Sequence, residues 1–234
     1  AGGPGRLILD TPVREILRDD VRVDPQLVSA IVDEDMDDTG DPQLGFFRNV
    51  LSGALDPDKL DYLNRDAYFC GVPYGMQDID FALSRLFPVW DRGVGLDVTG
   101  IPAVENVLFS KYLMYRAVYR HRTVRIATAM IKKAVHLALR EAVIEPNDLY
   151  GLDDELFFLR LNRSKFRAFD LIERVYDRKL FRPILEIPFD ETNPQHRRLE
   201  SLEDRTEIEN RIAERLAAGA HGSFGPESVI VDVP

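Results

Sequence analysis

A chain of 234 residues is long enough for one substantial domain, or for one domain with a small appendage. Hydrophobic residues make up 45% and charged residues 30%, with only short apolar runs, which fits a buried core and excludes a membrane-spanning or disordered chain. Forty acidic against thirty basic residues leave a net charge of -10, so general nucleic-acid binding is excluded and any anionic ligand needs a local basic site.

Residues 1–5, Ala1-Gly2-Gly3-Pro4-Gly5, read as a flexible leader, with structure starting near Arg6. Thr11-Pro12 and Asp24-Pro25 both read as a helix cap followed by proline in the first turn, the second leading into Leu27, Val28, Ile31 and Val32. Asp41-Pro42 and Leu55-Asp56-Pro57 predict two further helix starts. A hairpin is expected around Phe87 to Asp97, where Val89, Val94 and Leu96 flank Asp91-Arg92-Gly93. Two long helices are predicted between 101 and 142, meeting near His121 to Thr123, and another over Ser164 to Lys179. Beyond 182 the composition shifts. Ile184, Leu185 and Ile187 between Pro183 and Pro188 form a β-like run, a charged helix follows over Leu202 to Ala218, and Val229 to Val233 form a second β-like run. The expected fold is mostly α: a helical domain over 6–180 and a small α/β appendage over 181–234.

Two segments offer chemistry. A helix over 57–69 places Asp58, Tyr62 and Asp66 at i, i+4 and i+8 on one face, with Lys59 on its flank. Asp58 suits a divalent metal, Lys59 a phosphate, Tyr62 a sugar and Asp66 a hydroxyl. The same stretch also reads as an ordinary helix, with Asp61 and Arg65 paired at i, i+4 and Asp56 serving the N-terminus. The second segment gathers Lys111, Arg116, Arg120, His121, Arg122 and Arg125 without an intervening acid, either a solvated basic face or the local anion site. Within it Lys111, Tyr115 and Tyr119 again recur at i, i+4 and i+8.

The string LDPDKLDYLNRDAYFCGVPYG resembles the signature of HD-domain metal-dependent phosphohydrolases, especially the dNTP triphosphohydrolase branch. There a D-[RK]-x-D-Y-x-x-R-D core is followed by a G-x-x-Y-G-like turn. Ile101 to Asn106 and Tyr112 to Thr123 resemble the family's A-x-E-x-x-L and Y-M-Y-x-x-V-Y-x-H-[KR]-T stretches, in the same order, so the resemblance covers residues 50–135. It implies an HD-type helical core and hydrolysis of a deoxynucleoside triphosphate to deoxynucleoside and triphosphate. It further implies Asp58 as the last metal ligand, Lys59 as a triphosphate contact, Tyr62 near the sugar and Asp66 as acceptor for the 3'-hydroxyl. Lys111 stands where many members have a phosphate-facing arginine, Tyr115 shares its stripe, and Tyr119 matches the tyrosine packed on the sugar. His121 and Arg122 fall near an effector nucleotide site of some tetrameric members. The implied cofactor is a divalent metal, one of Mg, Mn, Fe, Ni or Zn, and the implied assembly a homo-oligomer.

The chain departs from that family where the metal is held. Members carry a histidine and a consecutive His-Asp pair, with nearby catalytic histidines, upstream of the aspartate matched by Asp58. Here no histidine precedes His121 and no His-Asp dipeptide occurs. One aspartate does not build a catalytic metal site, so the catalytic residues are not identified in this chain. Arg6 to Leu9 resembles the stretch after the metal-binding helices, and the end resembles an interior position of longer members. The favoured expectation is therefore a fragment of a longer enzyme. The alternatives are a metal-binding half supplied by another chain and a degenerate, nucleotide-binding or oligomerisation module. An HD phosphohydrolase acting on another phosphoester is a further possibility.

Other candidates fall away. The acids from Asp33 to Asp38 fail as a calcium loop, because the sixth position is Asp38 where glycine is needed and the twelfth is Leu44 where glutamate is needed. Cys70 is expected to be a buried structural thiol, His136 a packed helix residue, and His196 and His221 loop residues. A lone cysteine and a start without a basic and apolar signal region point to a reducing, cytoplasmic setting.

Overall fold

Proline and aspartate punctuation decides where most of the helices begin. The computed structural model describes residues 3–33, 35–36, 42–53, 55–90, 92–219 and 224–233. Asp41, Asp91, His221 and, of the acidic run at 33–38, Glu34, Asp37 and Asp38 lie outside these. The chain divides into two compact units, Ala1–Val118 and Tyr119–Pro234.

In the first unit, helix α1 spans Pro4–Leu9, and α2, Val13–Glu15, runs into a π-wound turn over Ile16–Val21. Helices α3 (Pro25–Val32), α4 (Pro42–Ser52), α5 (Pro57–Cys70) and α6 (Ile79–Ser84) follow. Strands β1 (Leu86–Val89) and β2 (Gly93–Leu96) form the expected hairpin, antiparallel with Leu86 opposite Leu96, and α7 (Ile101–Met114) closes the unit.

The start is not a leader at residues 4 and 5. Pro4 needs no amide partner in the first turn of α1, and Gly5 is buried. The Gly5 amide donates to Asp33 Oδ2 at 3.0 Å and its carbonyl accepts from Ser29 Oγ at 3.2 Å, while a Cβ there would lie 2.8 Å from Met36 Sδ. Glycine lets α1 pack on α3. Thr11 is not a cap either: its hydroxyl turns back to the Leu7 carbonyl at 2.6 Å, and Pro12 takes the cap position. Asp24 caps α3 as expected, accepting from the Gln26 amide at 2.9 Å. Arg48 of α4 then holds the end of α3, donating to the Ala30 and Met36 carbonyls at 2.7 and 2.8 Å.

In the second unit a π-wound turn over Tyr115–Tyr119, which starts in the first unit, precedes α8, Arg122–Arg140. Helix α8 buries Met130, Lys133, Ala134, Leu137 and Ala138, an i, i+3, i+4, i+7, i+8 stripe. With α9 (Asp154–Asn162) and α10 (Asp170–Tyr176), that stripe forms a core containing Leu161, Phe169, Leu171 and Ile172. The helix expected over Ser164–Lys179 is thus shorter, preceded by a tight turn at Arg167–Phe169. The short α11 (Pro194–Arg198) carries His196, and α12 spans Leu202–Gly219.

Beyond 180 the structure corrects the α/β reading of the appendage: among the described residues no strand forms there, although the fold as a whole is mostly α. Ile184 is 96% exposed, and β propensity without a ladder partner does not make a strand. The second run is held by side chains. The Val231 amide donates to Glu209 Oε1 at 2.7 Å, Asp232 pairs with Arg125, and Ile230 packs on the core. Among the described residues no helix is long and apolar enough to cross a membrane.

Candidate functional site

Helix α5 is built as its sequence requires. Asp56 caps it, accepting from the Lys59 amide at 2.7 Å, Pro57 occupies the first turn, and Leu60, Leu63 and Ala67 form the buried stripe. Gly71 ends it in the left-handed region (φ 64°), with the Val72 amide returning to the Ala67 carbonyl at 3.1 Å. The chain then folds back against α5. Asn64 clamps the returning strand by accepting from the Gln77 amide at 2.8 Å and donating to its carbonyl at 3.3 Å. Gly75, at φ 109°, sits where a Cβ would be 2.8 Å from Ala67 Cβ and 3.0 Å from the Leu63 carbonyl. Both glycines of the Gly71-to-Gly75 turn are thus demanded by backbone geometry. Asn64 was not among the expected functional residues; its signal is an amide side chain one residue from the buried Leu63, where a packed helix rarely keeps an unpartnered polar group.

Helix α7 buries Val107, Ser110 and Met114, and packs on α5. This contact joins the two predicted stripes within the first unit. Tyr62 hydrogen-bonds Tyr115, and the Lys111 ammonium lies over the Tyr115 ring, 5.8 Å from its centroid. Burial raises the Tyr62 phenol pKa. Tyr115, the charges of Asp56 and Asp58, and the bond to Tyr115 add to that shift, so the phenol stays protonated and able to donate. Asp58 is exposed in the first turn of α5, and Asp66 is half-buried two turns along. Lys59 is half-buried and donates to the Asp56 carboxylate and to the Gly53 carbonyl, the latter at 3.0 Å. Asp61 and Arg65 also pair, on a different face of α5 from Asp58, Tyr62 and Asp66.

Tyr119 lies at the start of the second unit, half-buried. The basic segment around it is partly neutralised: Arg122 meets Glu186 at 3.0 Å and Arg125 meets Asp232, while Arg116 donates to the Tyr112 hydroxyl at 3.0 Å. His136 is half-buried on α8, and its pKa is lowered by burial and by neighbouring Lys133 and Arg140. His196 Nδ1 accepts from the Asp190 amide at 2.9 Å. Cys70 is exposed rather than buried. The buried stripe of α5 ends at Ala67, one turn earlier, so the last turn carries Phe69 and Cys70 into solvent.

The residues present do not fit a metal centre by themselves. Asp58 offers one carboxylate, Asp56 is taken by Lys59 and the helix N-terminus, and among the described residues no three potential ligands come together.

Residues 83–234 match the HD associated region family. An uncharacterized protein of Methanocaldococcus jannaschii is 36% identical over 150 residues, covering 62% of this chain and 32% of that protein. The uncharacterized protein YwfO of Bacillus subtilis is 34% identical over 134 residues, 57% of this chain and 29% of that protein. The chain thus spans about a third of these curated relatives. In solved structures, a hypothetical protein from Aquifex aeolicus superposes with a TM-score of 0.62 at 28% identity, over 88% of this chain and 53% of that one. A phosphohydrolase from Bacteroides thetaiotaomicron superposes with a TM-score of 0.58 at 20% identity, over 88% and 55%.

Proposed function

This chain belongs to the HD associated region family, and on that footing we propose that it supplies the substrate-binding part of an HD-type phosphohydrolase acting on deoxynucleoside triphosphates. The observation that carries the reading is the meeting of α5 and α7, where Tyr62, Tyr115 and Lys111 converge beside Asp58. In this reading Lys111 faces the phosphate chain, and Lys59 turns to it from the Gly53 carbonyl. Tyr62 donates near the sugar and Asp66 accepts the 3'-hydroxyl. The motif resemblance gives Tyr119 a role at the sugar, where a ring against the 2'-carbon would leave an added ribose hydroxyl crowded and unpaired. Phosphate charge is offset by fixed cations, the arrangement that favours charge developing during phosphoryl transfer. Asp58 contributes one ligand to a divalent metal whose other ligands are proposed to lie outside residues 1–234. The likeness to the Bacteroides phosphohydrolase in fold supports the reaction class, and the motif order supports the substrate. A homo-oligomer is the proposed assembly.

The test is release of deoxynucleoside and inorganic triphosphate from each of the four dNTPs, with Mg²⁺ or Mn²⁺, by the parent protein that contains this chain. Turnover is expected, with a drop of two or more orders of magnitude in Asp58→Ala and a raised KM in Lys111→Gln. Intact turnover in Asp58→Ala removes the metal-ligand assignment. Nucleotide binding without release from the metal-loaded parent replaces the hydrolase with the nucleotide-binding module, and release from another phosphoester alone replaces the substrate.

A further inference from the structure

The first unit gathers positive charge a second time, on elements that carry none of the residues discussed above. Arg14, Arg18 and Arg22 line one cavity of about 430 Å³, whose floor is formed with Asp24 and Gln26 at the start of α3. The three arginines recur every fourth residue along α2 and the π-wound turn. A spacing of four keeps side chains along one flank of a helix. Arg14 and Arg18 stand on α2 and the π-wound turn and Arg22 directly after it, and all three reach the same cavity.

Direct pairing takes up one of the three arginines. Arg18 binds both carboxylate oxygens of Asp19, its neighbour in the chain, at 2.8 and 2.9 Å. Arg14 and Arg22 have no ion-pair partner among the described residues. Asp24 is the acid of the cavity lining, and it is engaged as the cap of α3. Glu15, Asp19, Asp20 and Asp24 share the stretch, yet two of the three guanidinium groups around the cavity are left to pair with a ligand.

Arg22 adds a second, independent observation. Its backbone lies in the left-handed region (φ 59°, ψ 39°), where it ends the π-wound turn and lets the Val23 amide reach the Leu17 carbonyl at 2.9 Å. Glycine or asparagine is the usual residue at such a helix end, because a Cβ strains it. An arginine there carries that strain, and what the position gains is the third guanidinium of the cavity.

The geometry points to a binding site for a phosphate chain, either free inorganic polyphosphate or the triphosphate of a nucleotide. Guanidinium forks match phosphate oxygens two at a time, the stripe spaces several forks along a chain of phosphates, and the cavity volume falls in the small-ligand range. The site is separate from the α5 and α7 residues, so it stands or falls independently of the proposed reaction.

The experiment is calorimetric titration of the 234-residue chain with inorganic triphosphate, and in parallel with dATP, at low ionic strength. Arg22→Gly is the informative variant, since glycine relieves the backbone strain and the protein melts at the same temperature or higher. Triphosphate affinity is nonetheless expected to fall about tenfold, the loss of one charge-assisted contact, and to disappear when Arg14→Gln and Arg18→Gln are added. Both titrations are made in a Lys111→Gln background, so that phosphate held by the α5 and α7 residues does not mask the loss. Equal affinities for triphosphate and dATP identify a free polyphosphate as the ligand, and tighter dATP binding that still falls in Arg22→Gly identifies a nucleotide. Absence of triphosphate binding to the unmodified chain overturns the proposal. So does binding in the Lys111→Gln background that survives the triple substitution at full affinity.

Discussion

Gly75 and Tyr62 show how much of the candidate site hangs on single residues. The left-handed backbone of Gly75 and its approach to Ala67 and Leu63 leave no room for a methyl group. Gly75→Ala is expected to destabilise the protein by about 1–3 kcal/mol, read from the urea midpoint, and to loosen the turn clamped by Asn64. An unchanged midpoint would mean that the turn relaxes freely. Tyr62 carries a pH signature. Its phenol pKa lies above the ordinary 10.0 in the folded protein, so the folded state binds the proton more tightly than the unfolded chain does. The resulting contribution to stability is complete below pH 10 and is lost as pH rises through the folded value. Denaturation midpoints measured between pH 9 and 11 are expected to fall less steeply in Tyr62→Phe than in the unmodified protein. Parallel slopes would place the Tyr62 phenol in an environment no different from water.

At the scale of the element, α5 depends on its first turn. Asp56 satisfies the Lys59 amide, and its other oxygen receives the Lys59 ammonium, so a single carboxylate both caps the helix and positions the lysine. Asp56→Ala is expected to cost about 1 kcal/mol through the cap, with Asp56→Asn recovering most of it because an amide oxygen also caps. Thermal melts of the two variants separate the cap from the charge: equal losses in both would assign the effect to the ion pair. The π-wound turns at Ile16–Val21 and Tyr115–Tyr119 are the second lesson at this scale. Both follow an α-helix without a break, and each lies in a series at four-residue spacing, Arg14, Arg18 and Arg22 in one and Lys111, Tyr115 and Tyr119 in the other.

Across each unit, buried polar groups decide which distant segments meet. In the second unit Lys133 of α8 and Glu209 of α12 form a buried ion pair, and the other Glu209 oxygen takes the Val231 amide. One carboxylate therefore ties α12, the middle of α8 and the segment after Pro226. Glu209→Ala leaves a buried ammonium unpaired and is expected to cost about 3–5 kcal/mol in denaturant unfolding. Glu209→Gln is expected to cost less, since the amide oxygen still accepts from Val231. Loss of the same magnitude in both would assign the stabilisation to the charge pair alone.

Local chemistry was enough to read much of this protein from its sequence. Asp24-Pro25 and Asp56-Pro57 announce helix starts because capping and proline act within four residues, and the 3.6-residue stripe of α8 announces a core-facing helix. The Asp58, Tyr62 and Asp66 spacing likewise places those side chains along one helix. Only the tertiary structure decided which stripes would meet, bringing Tyr62 to Tyr115 across α5 and α7. It alone decided that Ile184–Ile187 would find no strand partner and that Val231 would be held by Glu209. It also placed Gly5 against Asp33 and left Cys70 in solvent. Those outcomes rest on contacts between segments far apart in the chain, where burial and hydrogen-bond partners are supplied by neighbours that no local pattern specifies.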